Sequence, residues 1–327
     1  MNSTELSTEI KWEIFRHAIY ILEGLGLFIC NGLIVLVVSR HEALRSRKEF
    51  FLLAALAFAD CFSGLGTLSA GLYRIPIWLT DRATIATSPR YCLLLPYSVL
   101  WSLFYSSQYT MLIVISFDRL VSVLDPLRYI GLGLNYSKVL VFTAYAPILG
   151  LTFHTYLTNW NSMTDGVTEI CWSSMAFGKF GSYLRDGTHT SSAMISIILY
   201  LFVPLIHWRQ MRMLDSDTRS QQDLQFQLRL TKTVATSCVC TFLLCALPWL
   251  THVALLIYLP DRYEQFSVWM FIIANLNPLF NLWIYRRKQR HFKIGLRCLL
   301  RNKTMPANLR DWEPTTTKNV KPAEANV

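Results

Sequence analysis

The feature that most constrains this chain is how its charges are spaced. Seven stretches of about 20 residues carry few ionisable side chains, and that length is what a helix needs to cross a bilayer core. They are His17–Ser39, Phe50–Tyr73, Leu93–Leu120, Val139–Leu157, Gly187–Trp208, Thr233–Tyr258 and Phe266–Tyr285. Together they fill most of the 327 residues and leave no room for a separate soluble domain. Only 16% of residues are charged and 53% are hydrophobic, whereas soluble domains carry about a quarter charged. The expected fold is an all-α membrane protein, a seven-transmembrane helix bundle. The first run lacks the basic start and small-residue cleavage site of a signal peptide and reads as an anchor. The divisions are then 1–16 as an extracellular N-terminus, 17–285 as the bundle, 286–301 as a cytosolic amphipathic helix and 302–327 as a disordered tail.

Basic residues orient the bundle, because Lys and Arg in short loops stay in the cytoplasm. Arg40, Arg45, Arg47 and Lys48 follow run one; Arg209, Arg212 and Arg219 follow run five; Arg286, Arg287, Lys288, Arg290, Lys293 and Arg297 follow run seven. The opposite links are mixed, with Asp81/Arg82, Asp165/Glu169 and Asp261/Arg262/Glu264. The N-terminus is expected outside and the C-terminus in the cytosol of a plasma-membrane protein. The net charge of +10 is then a topological signal and implies no nucleic-acid partner. Asn2 opens a glycosylation sequon on the outer side; those at Asn135 and Asn302 fall in the cytosol and read as chance matches.

Of eight cysteines, Cys30, Cys61, Cys238, Cys240 and Cys245 lie within runs, where a small apolar thiol is ordinary packing. Cys298 is cytosolic. Only Cys92 and Cys171 face an oxidising space, so a disulfide between them is expected. No Cys/His spacing suits a metal.

Polar residues inside the runs stand out. Asp60 lies mid-membrane, and a carboxylate there is a functional hypothesis by default. Asn31, Gln108, Asn275, Asn277 and Asn281 can solvate it, or they can be hydrogen-bonding glue between helices.

Four motifs carry a resemblance. Asn31 in "CNGLIVLVV", "LAFAD" ending at Asp60, "DRLVSVLDPLRY" from Asp118 to Tyr129, and "FLLCALP" from Phe242 to Pro248 together resemble the rhodopsin-like G-protein-coupled receptors. The "LRSRKEFF…ALAFAD…AGLYR" region looks most like the srsx-type nematode serpentine chemoreceptors. The resemblance implies that an extracellular ligand, a chemosensory small molecule or peptide, activates a heterotrimeric G protein. It assigns Asp118 and Arg119 to an inactive-state pair and has Arg119, Tyr200 and Tyr285 rearrange on activation. It makes Asn31, Asp60, Gln108, Asn277 and Asn281 a polar core that in many relatives holds sodium. Gln108 and Pro278 stand where small hydroxyl residues are commoner, which weakens a sodium site here.

The same comparison sets the register of "NPLFNLWIY", Asn277 to Tyr285. Pairing Asn281 with Leu282 gives Tyr285 and Phe292 the family's tyrosine and phenylalanine places, and Pro278 becomes a kink moved one turn earlier. By position the ligand pocket draws on Trp101, Tyr105, Trp249, His252, Phe271 and Asn275, with His189, Ser191 and Ser192 from run five. It is aromatic and largely neutral: Trp101 stands where amine receptors keep an aspartate, and Asn275 where a retinal lysine would stand, so no cofactor is expected. For any single aromatic, core packing competes with ligand contact. Trp101, Tyr105, Gln108, Leu112, Ile115 and Arg119 share one face over about 27 Å. Cys92 stands further ahead of Arg119 than the family pattern has it, leaving the outer register of run three open. After run seven, "RRKQRHFKIGLRCLL" reads as an interfacial amphipathic helix, with Cys298 a palmitoylation candidate. A transporter or channel with Asp60 in its pathway is the alternative function. An enzyme is not expected, since His154, His189, His207 and His252 are scattered and form no motif.

Overall fold

The computed structural model describes residues 3–160, 166–172, 176–213, 239–258 and 260–305. The main helices are α1 (Ser3–Arg40), α2 (Lys48–Leu79), α3 (Ser106–Leu124), α4 (Leu134–Trp160), α5 (Gly178–Met213), α6 (Leu247–Tyr258), α7 (Pro260–Lys288) and α8 (Arg290–Leu300). Among the described residues, five segments are long and apolar enough to cross a membrane: Ile10–Arg40, Lys48–Leu79, Pro96–Leu124, Leu134–Trp160 and Val268–Lys288. The expected fifth run lies within α5, and the described part of the sixth is a π turn (Phe242–Ala246) leading into α6. Large apolar side chains point outward on several helices, among them Leu22, Leu72, Phe142, Phe153, Leu201 and Trp283. The interior meanwhile holds Asn31, Asp60, Gln108, Asp118 and Arg119. That inversion of the soluble pattern is what a lipid surround selects.

Helix α1 begins fourteen residues before the expected boundary. No Gly or Pro interrupts the chain before Gly24, so nothing stops the helix continuing outward through residues 3–16. Helices α1 and α2 touch at backbone level. A Cβ on Gly24 would lie 2.3 Å from the Leu68 amide nitrogen, and one on Gly64 would lie 2.4 Å from Leu27 Cβ. Such contact draws helices together through van der Waals packing, since lipid supplies no hydrophobic drive between them.

The outer part of run three is not one helix. It comprises Pro89–Leu94, Pro96–Leu100 and a π turn, Trp101–Tyr105, that feeds α3. Leu95 between the first two is extended (φ −64°, ψ 139°), because a residue before proline is pushed out of the helical region. The kink and the π turn take up residues that a straight helix would not need, which accounts for the long spacing from Cys92 to Arg119. Cys92 is joined to Cys171, with their Cα atoms 5.3 Å apart. Beside the disulfide, β1 (Ala86–Thr87) and β2 (Val167–Thr168) pair antiparallel, and Arg82 forms an ion pair with Glu169.

At the other end, Gln289 is extended and starts α8. Phe292, Ile294, Leu296 and Cys298 are buried, while Arg290, Lys293 and Arg297 are exposed. The buried face packs in one cluster with Ile34, Val37, Leu44, Phe50 and Tyr285. His41 Nε2 sits 3.0 Å from the Gly295 carbonyl, tying α8 to the link after α1.

Candidate functional site

Three layers of polar and aromatic side chains run through the bundle. The first lies where α3 ends. Asp118 is fully buried and Arg119 is 6% exposed. Arg119 Nε donates to Asp118 Oδ2 at 3.1 Å, and a second guanidinium nitrogen reaches the same oxygen. The hydroxyl of Tyr129 accepts from Arg119 at 2.9 Å and faces both Asp118 oxygens at 3.2 Å, donating to the carboxylate. Burial pushes the Tyr129 phenol well above its ordinary range, partly opposed by the Arg119 charge, so it stays a protonated donor. The short helix Pro126–Gly131 presents Tyr129, and its start is set by Pro126 in the first turn and by Asp125, whose side chain accepts from Arg128 N. This matches the usual preference for an Asp cap followed by proline. Lys48, the first residue of α2, then clamps that helix. Its ammonium donates to the carbonyls of Tyr129 and Leu132 and lies 3.5 Å over the Tyr129 ring.

The second layer surrounds Asp60, which is 1% exposed. Asn281 Nδ2 donates to Asp60 Oδ2 at 3.3 Å. Asn31 Nδ2 donates to the Leu27 carbonyl at 3.2 Å and reaches that of Pro278 at 3.5 Å. Thr241 Oγ1 donates to Asn277 Oδ1 at 3.4 Å. Gln108 is buried in α3 but makes no hydrogen bond to Asp60 among the described residues. Pro278 has no N–H, so the Ala274 carbonyl one turn earlier loses its helical donor; Cys245 Sγ, from the π turn before α6, approaches that oxygen at 3.6 Å. Tyr285 lies one turn beyond Asn281, against Phe292, with ring centroids 6.1 Å apart. Asn281 thus meets Asp60, and Tyr285 meets α8.

The third layer is the aromatic cluster at the end of the bundle expected to face outward, here the outer aromatic cluster. Phe271 lies 5.4 Å from Trp101, 5.3 Å from Tyr105 and 5.4 Å from Tyr20. Trp101 Nε1 donates to Thr67 Oγ1 at 3.2 Å. His189 stacks on Tyr109 at 4.5 Å and pairs with Ser106 Oγ at 3.1 Å. Ser192 is buried, whereas Ser191 is exposed and donates to the Thr188 carbonyl, so it faces away from the cluster. Asn275 is 1% exposed on α7. Trp249 and His252 fall on α6 and Tyr200 on α5, but their side chains lie outside the described residues, as does Asn2. Cys298 is on the buried face of α8, so acylation there requires that face to open.

Two residues escaped the sequence reading. Arg74 on α2 is 1% exposed. It donates to the carbonyls of Ile170 and Cys171 at 3.2 and 3.0 Å and lies over the rings of Tyr97, Trp101 and Trp172. It fastens the disulfide-bonded loop to the aromatic cluster. Its signal was an arginine just past the end of an apolar run, where an ionisable group needs a reason. Lys48 carried only the look of a loop charge.

A groove of about 470 Å³ opens between α4 and the outer part of run three, lined by Val99, Leu103, Leu149, Phe153, Tyr156 and Trp160. It touches none of the three layers. Among the described residues, no three His, Cys, Asp or Glu side chains form a group that could hold a metal. A family model described as "7 transmembrane receptor (rhodopsin family)" matches residues 30–285. No curated protein matches the chain.

Proposed function

Since the chain belongs to the rhodopsin family of seven-transmembrane receptors, we propose that it binds an extracellular ligand in the outer aromatic cluster and activates a heterotrimeric G protein. The observation that carries the reading is the buried network of Asp118, Arg119 and Tyr129. An arginine so enclosed is costly unless paired, and its pairing here occupies the group that an incoming G-protein helix would have to meet. In the proposed resting state Arg119 is held by Asp118 and Tyr129. Ligand binding favours a population in which α6 moves outward and Arg119, Tyr200 and Tyr285 rearrange.

The polar layer supplies the linkage. Asn281 contacts Asp60 on α2 and Asn277 contacts Thr241 just before the π turn, so a change in α7 is felt on both sides. Pro278 gives the lower turn of α7 freedom to swing. In this reading the N-terminus lies outside and the C-terminus in the cytosol, as the basic links suggest, and the ligand is a chemosensory small molecule or peptide. No observation favours the transporter reading.

The test is nucleotide exchange on a panel of G proteins by the purified receptor in lipid discs. Exchange by the wild-type protein and its loss in Arg119→Ala, with both folded to the same extent, support the reading. Exchange unaffected by Arg119→Ala sinks it.

A further inference from the structure

The helix that carries Tyr129 runs only from Pro126 to Gly131, and six residues do not hold a helix by themselves. Its start is capped by Asp125, whose ion pair with Arg128 is exposed and so holds little. Its end opens into Gly131, Leu132 and Gly133. A Cβ on either glycine would meet nothing within 4 Å, and Leu132 is already extended (φ −71°, ψ 120°). The last carbonyls of a helix lack donors from within it and need partners from elsewhere.

Lys48 comes to that end from another helix. It opens α2 and is 8% exposed. Its ammonium donates to the Leu132 carbonyl at 3.1 Å and to the Tyr129 carbonyl, which also accepts from Leu132 N at 3.2 Å. A cation is favoured at a helix C-terminus, where carbonyls stand open. The same ammonium lies 3.5 Å from the centre of the Tyr129 ring, a cation–π contact. The Lys48 carbonyl in turn accepts from Ser137 Oγ at 3.3 Å, so the first turn of α4 steadies the grip. Tyr129 is thus held by its backbone and its ring, and its hydroxyl is left to Arg119 and Asp118. We propose that Lys48 is a positioning residue: it holds Tyr129 on the Arg119 network and thereby sets how often the protein opens without ligand. The proposal rests on the receptor reading and adds a control on its resting state, supplied by α2.

The test is a cycle of wild type, Lys48→Met, Tyr129→Phe and the double variant, as full-length proteins in lipid discs at matched folded amounts. Methionine keeps the apolar stem and drops the ammonium. Ligand-free nucleotide exchange by Lys48→Met is expected to rise about two- to fivefold, the worth of a cation at a helix end. The rise should stay below that of Tyr129→Phe, which loses the hydroxyl itself. In the Tyr129→Phe background the same change should add nothing, because the group it positions is gone. Lys48→Arg, which restores a cationic donor, should return exchange toward the wild-type level; a folding defect alone raises exchange in none of these. Exchange by Lys48→Met at or below wild type overturns the proposal, as does a Lys48→Arg variant as active as Lys48→Met. An equal rise with and without the hydroxyl overturns it too, since Lys48 would then act on Asp118 by charge alone. If Arg119→Ala leaves exchange unchanged, the receptor reading has failed, and the melting temperatures of the same four proteins decide instead. A double variant that loses less than the two single losses added together supports the positioning role, and strict additivity sinks it.

Discussion

Replacing Tyr129 by Phe removes one oxygen from the layer of Asp118 and Arg119 and almost nothing else. The ring that lies 3.5 Å beneath the Lys48 ammonium is kept, and so are the Tyr129 and Leu132 carbonyls that Lys48 grips. What goes is a hydroxyl that accepts from Arg119 at 2.9 Å and donates to Asp118 at 3.2 Å. Hydrogen bonds to charged groups are worth about 1.5–3 kcal/mol each. Arg119 still holds Asp118 in the variant, so a single bond's worth is the conservative loss from the resting state. At about 1.4 kcal/mol per tenfold, that moves the resting–open equilibrium by about ten- to a hundredfold. If about 1% of wild-type molecules are open without ligand, the variant should hold about 10 to 50% open. The assay is ligand-free nucleotide exchange on the G protein that wild type activates, at matched amounts of folded receptor. A melting temperature below wild type should accompany the gain, because the resting state is the one weakened. Ligand-free exchange at or below the wild-type level would refute the argument, since the hydroxyl would then not hold Arg119 in its resting place.

Other changes test other layers. Gly64→Leu places a branched side chain where even a Cβ would come within 2.4 Å of Leu27 Cβ; overpacking of about 1–3 kcal/mol or more should show as a lower melting temperature and poor surface delivery, while Gly150→Ala, with nothing within 4 Å, should behave as wild type. Asn281→Ala strips Asp60 of the donor it has at 3.3 Å and should destabilise the protein by about 1–3 kcal/mol, a loss that Asp60→Asn in the same chain should partly reverse. Tyr285→Phe should leave stability nearly intact but reduce ligand-stimulated exchange, since the ring contact with Phe292 survives without the hydroxyl. Cys92→Ala opens a loop of sequence separation 79, for which loop-closure entropy gives at most about 4.5 kcal/mol, and surface expression should fall accordingly.

What could be read from the sequence was what depends on burial alone. Apolar length located the five spans found among the described residues, because lipid leaves the backbone few alternatives, and the disulfide followed because only two cysteines were expected to face the outer side. The register of Asn281 and Tyr285 came from the family comparison, which gives Tyr285 and Phe292 the family's places; in the structure Asn281 meets Asp60 and the Tyr285 ring lies against Phe292. Helix α1 runs out beyond the expected span, because hydropathy marks where lipid begins, whereas the helix stops only when the backbone is given a reason. The break at Leu95 had a visible cause in Pro96, yet the π turn after it left no mark in Trp101–Tyr105. Arg74 and Lys48 were passed over for a different reason. Each is one charge at the edge of an apolar stretch, and only the fold shows that each meets carbonyls of a distant segment, Arg74 those of Ile170 and Cys171 and Lys48 those of Tyr129 and Leu132.

The glycine contact between α1 and α2 gives the bundle an uneven stiffness. With Gly24 and Gly64 against opposing backbone, no layer of side chains stands between those helices to deform, so they behave as one beam. On another flank, the joint between the π turn before α6 and α7 includes two long contacts among the described residues. A thiol approaches a carbonyl at 3.6 Å and a hydroxyl approaches an amide at 3.4 Å, next to a proline that has already released one rung of its helix. Load applied at the outer aromatic cluster therefore finds an anvil on one flank and a spring on the other. On the proposed receptor reading, work done by a ligand would be delivered to the spring.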